Sequence, residues 1–152
     1  MSSSSSTQVE ILIVEDNPHD LEMTMRGLQK AHLVNHVHVA RDGEEALDFV
    51  FCEGAHAGRP MSDQPKLILL DLKLPKVDGL EVLARLKADP RTRSIPVVML
   101  TSSQEQSDLL ASYQNGVNSY IVKPVNFEAF VQAVAELGMY WMMLNEPPET
   151  TA

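Results

Sequence analysis

Lys66-Leu-Ile-Leu-Leu-Asp71, followed at once by Leu72-Lys-Leu-Pro-Lys-Val-Asp-Gly79, is the stretch that decides how this chain is read. An unbroken apolar run suits a strand buried on both faces, as strands of a parallel sheet are. The run stops on a carboxylate, and the segment behind it, with Pro75 and Gly79, turns the chain. In an open parallel sheet the carboxyl ends of the strands face the ligand crevice. Asp71 therefore stands where a carboxylate can bind a cation, act as a base or act as a nucleophile. The groups that other strands deliver to the same rim decide between these.

Working outward, the pattern repeats. Val9-Glu-Ile-Leu-Ile-Val14 reads as a buried strand that stops at Glu15-Asp16-Asn17, and Pro18 opens a helix carrying Leu21, Met25 and Leu28. His36-Val-His-Val-Ala40 alternates and reads as a second strand, ended by Asp42-Gly43, with a helix over 44–51. Residues 53–65, with Gly54, Gly58, Pro60 and Pro65, read as a loop. After the strand at 67–71 come a helix over 79–88 stopped near Asp89-Pro90, a strand over 95–101, a helix over 104–114 closed by Asn115-Gly116, and a strand over 119–122. Asn126 then caps a long helix with Phe127, Phe130, Val131, Val134 and Leu137. Five strands alternating with five helices predict an α/β fold, a doubly wound parallel sheet covered on both faces.

Such a sheet gathers its strand ends on one edge. Glu15-Asp16, Asp71, Thr101 with Ser102-Ser103, and Lys123-Pro124 should therefore converge. Carboxylates at close range repel, and a hard divalent cation with oxygen ligands is the simplest way to offset that. Lys123 would add a point positive charge and Thr101 a donor for an anionic oxygen. This set can transfer a phosphoryl group onto Asp71. It can equally serve a metal-dependent phosphatase or phosphotransferase with a small substrate, although Lys73 stands where a second acid two residues on would be wanted.

Bulk properties narrow the partners. The 152 residues suit one domain, with a Ser-rich tail at 1–8, a folded unit over 9–143 and a C-terminal tail over 144–152. A formal net charge of −9 argues against a nucleic-acid or anionic-membrane binder. No signal-peptide pattern and no bilayer-length apolar run is present, so a cytoplasmic location is expected. Cys52 is the only cysteine, which excludes an intramolecular disulfide, and it reads as an inert helix residue.

Four segments together carry a resemblance: Ile11-Leu-Ile-Val-Glu-Asp-Asn17, Leu67-Ile-Leu-Leu-Asp-Leu-Lys-Leu-Pro-Lys-Val-Asp-Gly79, Pro96-Val-Val-Met-Leu-Thr-Ser102 and Ser119-Tyr-Ile-Val-Lys-Pro124. In that order and spacing the chain resembles a response-regulator receiver domain of two-component signalling. The resemblance implies a flavodoxin-like five-stranded sheet in order 2-1-3-4-5, with the ligand at the switch point between the first and third strands. It implies that Asp71 accepts a phosphoryl group from a histidine of a sensor kinase. Asp16 and Asp71 would hold Mg²⁺ (or Mn²⁺), with the backbone carbonyl of Lys73, and Glu15 would act through water. Thr101 and Lys123 would grip the phosphoryl oxygens, and Tyr120 would turn inward as Thr101 moves, completing a switch. Asn17, the Leu-Lys-Leu-Pro turn, the long loop at 53–65 and the continuation Gly138-Met-Tyr-Trp-Met-Met-Leu-Asn-Glu-Pro-Pro148 look like the stand-alone regulators paired with phytochrome histidine kinases. Such a protein would signal by phosphorylation-dependent contact with a downstream protein not named by the sequence.

Two further patterns stand outside that set. Tyr140 and Trp141, beside Met139, Met142 and Met143, read as an apolar contact surface suited to a homodimer. His36 and His38 share one side of a strand, a spacing open to a metal pair but read as a solvated or loop-covered face.

Overall fold

The computed structural model describes residues 10–33, 36–101, 114, 116–117, 119–122 and 127–144; for 101, 119, 120, 122, 127, 130 and 138–144 the description stops at the backbone. Five strands form one parallel sheet: β1 (Ile11–Val14), β2 (Val37–Ala40), β3 (Leu67–Asp71), β4 (Val97–Thr101) and β5 (Ser119–Val122), in the order β2-β1-β3-β4-β5. This is the predicted order. Four α-helices are described: α1 (Pro18–Lys30), α2 (Gly43–Phe51), α3 (Gly79–Ala88) and α4 (Phe127–Leu144). The helix expected over 104–114, the cap at Asn126 and both tails lie outside the described residues, apart from Gln114 and Leu144.

Alternation along the strands builds two cores. Leu12, Val14, Ile68, Leu70, Val97 and Met99 face one side, where Phe49 and Val50 of α2 and Leu83 and Leu86 of α3 close over them. Ile11, Ile13, Leu67, Leu69, Val98 and Leu100 face the other, under Met23 and Leu28 of α1 and Val134 of α4. β1 and β3 are buried along their whole length, which is why they read as unbroken apolar runs. α1 and α4 pack closely because of Gly27, where an added Cβ would lie 2.7 Å from the Val134 side chain.

Most boundaries fall where expected, and the differences have local causes. β4 begins at Val97 rather than Ile95, since Ile95 N–H closes a turn onto Thr92 O and Pro96 has no N–H to donate. β2 begins one residue late, at Val37. α2 starts at Gly43, one residue early, because the Asp42 side chain accepts from Glu45 N–H at 2.7 Å and caps it. Cys52 is not a helix residue: it ends α2 in the left-handed conformation, φ 56°. The loop at 53–65 contains a 3₁₀ turn, Gly54–His56. Among the described residues no helix is long and apolar enough to cross a membrane.

Candidate functional site

The chain order reverses direction across the sheet between β1 and β3, which leaves a crevice at their carboxyl ends. Val14 pairs with Leu70, so Glu15 and Asp71 leave the sheet side by side. Asp71 in turn pairs with Leu100, and Thr101 is the next residue of β4. Thr101 pairs with Val122, the last residue of β5, after which the chain reaches Lys123. Lys123 lies outside the described residues, and Thr101 and Tyr120 are described by their backbone.

Glu15, Asp16 and Asp71 come together: one carboxylate oxygen from each falls within 4.8 Å of the others. Glu15 is fully buried and Asp71 is 6% exposed, whereas Asp16 faces solvent. Two carboxylates at that spacing repel by roughly 3.5 kcal/mol at an effective dielectric of about 20. Part of this is offset locally. Asn17 N–H donates to Glu15 Oε2 at 3.3 Å, and α1 begins at Pro18 with its positive end beside the cluster. The Asn17 side chain caps α1 by accepting from Asp20 N–H at 3.0 Å, which fixes the turn that presents Glu15 and Asp16.

The loop after Asp71 is held at both ends. Leu72 N–H extends the sheet ladder to Leu100 O at 3.0 Å, and Gly79 N–H returns to Leu72 O at 3.1 Å. A Cβ at Gly79 would sit 2.2 Å from Asp71 O, so only glycine lets α3 start this close to the acceptor strand. Gly43 N–H reaches Pro75 O at 3.4 Å, and Lys76 Nζ lies 3.6 Å from both Asp42 and Glu44. Lys73 is exposed on this loop, two residues beyond Asp71.

Three hard oxygen donors within 4.8 Å of one another fit a hard divalent cation such as Mg²⁺, which takes one or two carboxylates and keeps several waters. A family model described as the response regulator receiver domain matches residues 11–135. The chain belongs to that family. This decides between the two readings that the rim alone left open. Receivers accept a phosphoryl group on an aspartate, bind a divalent metal and interact with histidine kinases, and this chain is a phosphoacceptor of two-component signalling.

Among curated relatives, this receiver is 43% identical over 139 residues to the probable methanogenesis regulatory protein FilR2 of Methanothrix harundinacea, covering 91% of this chain and 86% of the relative. It is 37% identical over 142 residues to the response regulator Rcp1 of Synechocystis, covering 93% and 95%. Rcp1 has a solved Mn²⁺-bound form, with TM-score 0.82 over 93% of this chain and 99% of the other. The phosphorylated cyanobacterial phytochrome response regulator RcpA superposes with TM-score 0.83 at 38% identity, covering 93% and 99%. The bacteriophytochrome response regulator AtBRR is 55% identical, with TM-score 0.71 over 91% and 99%.

Sequence reasoning found the carboxylate cluster. It missed a second one. The group gathered around His38 is Glu45 and His56, and His36 is not part of it.

Proposed function

We propose that Asp71 is the phosphoacceptor of a stand-alone receiver, and that its phosphodonor is the phosphohistidine of a phytochrome-type histidine kinase. The observation that carries the site assignment is the convergence of Glu15, Asp16 and Asp71 at the switch point between β1 and β3. In the transfer, an Asp71 carboxylate oxygen forms a bond to phosphorus as the bond from phosphorus to the kinase imidazole nitrogen breaks. Asp16 and Asp71 would hold Mg²⁺ together with the Lys73 carbonyl, and Glu15 would act through water. Bound there, the ion supplies positive charge to the phosphoryl oxygens. The Thr101 hydroxyl and Lys123 ammonium take the remaining oxygens, and the protein catalyses its own transfer and later hydrolysis.

The phytochrome assignment draws support from likeness to AtBRR and RcpA, and FilR2 marks the competing possibility of another sensor. Stand-alone action is supported by Rcp1, of which this chain covers 95%. Output then runs through protein contact: phosphorylation moves Thr101 and Tyr120 and changes the neighbouring surface. The cytoplasm, where ATP-made phosphohistidine is found, is the compartment that goes with this reading. The folded unit is proposed to span 9–143, flanked by the tails, with Tyr140 and Trp141 of α4 as the dimer surface.

The test is labelling by acetyl phosphate or a phosphorylated kinase in Mg²⁺. Wild type should take up label and Asp71→Asn should stay at background. Equal labelling of a folded Asp71→Asn protein would overturn the assignment.

A further inference from the structure

β2 is an edge strand, and the segment behind α2 covers part of it. The 3₁₀ turn Gly54–His56 brings His56 against His38 of β2, with ring centroids 5.2 Å apart and planes at 88°. Phe49 of α2 stacks flat on His38 at 4.3 Å. Glu45, one turn earlier on α2, places Oε2 3.6 Å from His38 Nε2. One ligand atom from each of His38, Glu45 and His56 lies within 4.8 Å of the others.

Three structural observations bear on what this cluster can hold. Among the described residues, His38 Nε2 is shielded from solvent and meets no hydrogen-bond acceptor or donor within 3.5 Å; its nearest polar neighbour is the Glu45 carboxylate at 3.6 Å. The Glu45 carboxylate is already oriented: its Oε1 accepts from Arg41 N–H at 3.1 Å while the Asp42 side chain accepts from Glu45 N–H and caps α2, which leaves Oε2 toward the histidine. Beyond the cluster lies a cleft of about 310 Å³ shared by Glu45 and His56, with Asp42, Glu44 and Asp48 on its walls. Burial first, and His56 second, hold the His38 pKa below the ordinary imidazole value, with Glu45 opposing.

We propose that His38, Glu45 and His56 form a binding site for a borderline divalent transition cation of the Zn²⁺ class, separate from the hard-cation site at Asp71. Two imidazoles and one carboxylate suit that class, whereas Mg²⁺ prefers oxygen alone. Ligands about 2.0 Å from a tetrahedral ion lie about 3.3 Å apart. The His38–Glu45 pair, at 3.6 Å, is nearly at that spacing. His56 closes the remainder by a small movement of its turn, and the cleft admits a water as fourth ligand. Of the positive charges nearby, Lys76 is ion-paired, whereas Arg59 meets neutral carbonyls and its charge is still felt at His38. Arg59 donates to the carbonyls of Phe49 and Asp63, and Lys76 pairs with Asp42 and Glu44. An ion here would clamp the 53–65 segment onto β2 and α2, the helix whose start also anchors the loop behind Asp71.

Zinc titration of the full chain against a chromophoric chelator, with saturating Mg²⁺ to occupy the Asp71 centre, tests this. Wild type should bind one Zn²⁺, and Asp71→Asn should bind it equally well. His56→Ala, checked for fold by circular dichroism, should bind at least about tenfold more weakly, as should Glu45→Gln. His32→Asn, at an exposed histidine outside the cluster, should match wild type. No zinc uptake by wild type, or unchanged affinity in folded His56→Ala and Glu45→Gln, would overturn the proposal.

Discussion

Asp16 and Asp71 share a cluster but not an environment. Asp71 is nearly buried beside fully buried Glu15, while Asp16 is exposed. Asp16 can therefore change with little effect on the fold, and its loss should register in metal binding. Asp16→Asn is expected to weaken Mg²⁺ at least about tenfold. The thermal midpoint gained on adding Mg²⁺ should shrink accordingly. A variant that keeps the wild-type Mg²⁺ affinity contradicts a ligand role for Asp16. This cluster was legible in the sequence because parallel strands put their ends on one edge, so Glu15, Asp16 and Asp71 could be placed from two apolar runs alone. The His38 cluster was not legible. His36 and His38 suggest a pair by their spacing in a strand, but the actual neighbours come from the first turn of α2 and from a segment without periodicity. Nothing in residues 53–65 announces that its 3₁₀ turn folds back over the edge strand.

At the scale of elements, the loop between β3 and α3 sets the geometry around the acceptor. Its Asp78-Gly79 step read as a helix start, and α3 does begin at Gly79 and run to Ala88. The reason glycine is required there lies in tertiary contact, not in the turn pattern: a Cβ would press on the carbonyls of Asp71 and Leu72. Gly79→Ala should therefore cost roughly 1–3 kcal/mol in urea unfolding and slow phosphorylation together, because the displaced backbone is that of Asp71 itself. A stable variant labelled at the wild-type rate contradicts this. The sequence also overextended β4 to Ile95, where apolar character continues but Pro96 interrupts the ladder. The same excess of hydrophobic signal over hydrogen-bonding signal makes strand boundaries hard to read from composition.

For the molecule as a whole, both helix layers follow from alternation of apolar strands with amphipathic helices, whereas the strand order, observed as β2-β1-β3-β4-β5, is what the family resemblance implies. The switch point then follows from topology. α4 packs Val131 and Val134 inward and its backbone continues to Leu144. If its last turns carry the homodimer contact, a chain truncated after Leu137 should sediment as monomer at concentrations where the full chain is dimeric. An unchanged association state in a folded truncation contradicts that surface. Everything the rim does in this protein turns on which carboxylate is the acceptor. The most direct measurement is borohydride reduction of the phosphorylated wild-type protein followed by peptide mapping, which converts an acyl phosphate of aspartate to homoserine. Homoserine at position 71, and unmodified Glu15 and Asp16, is the predicted result. Label recovered on a histidine, or on another carboxylate with Asp71 intact, would contradict it.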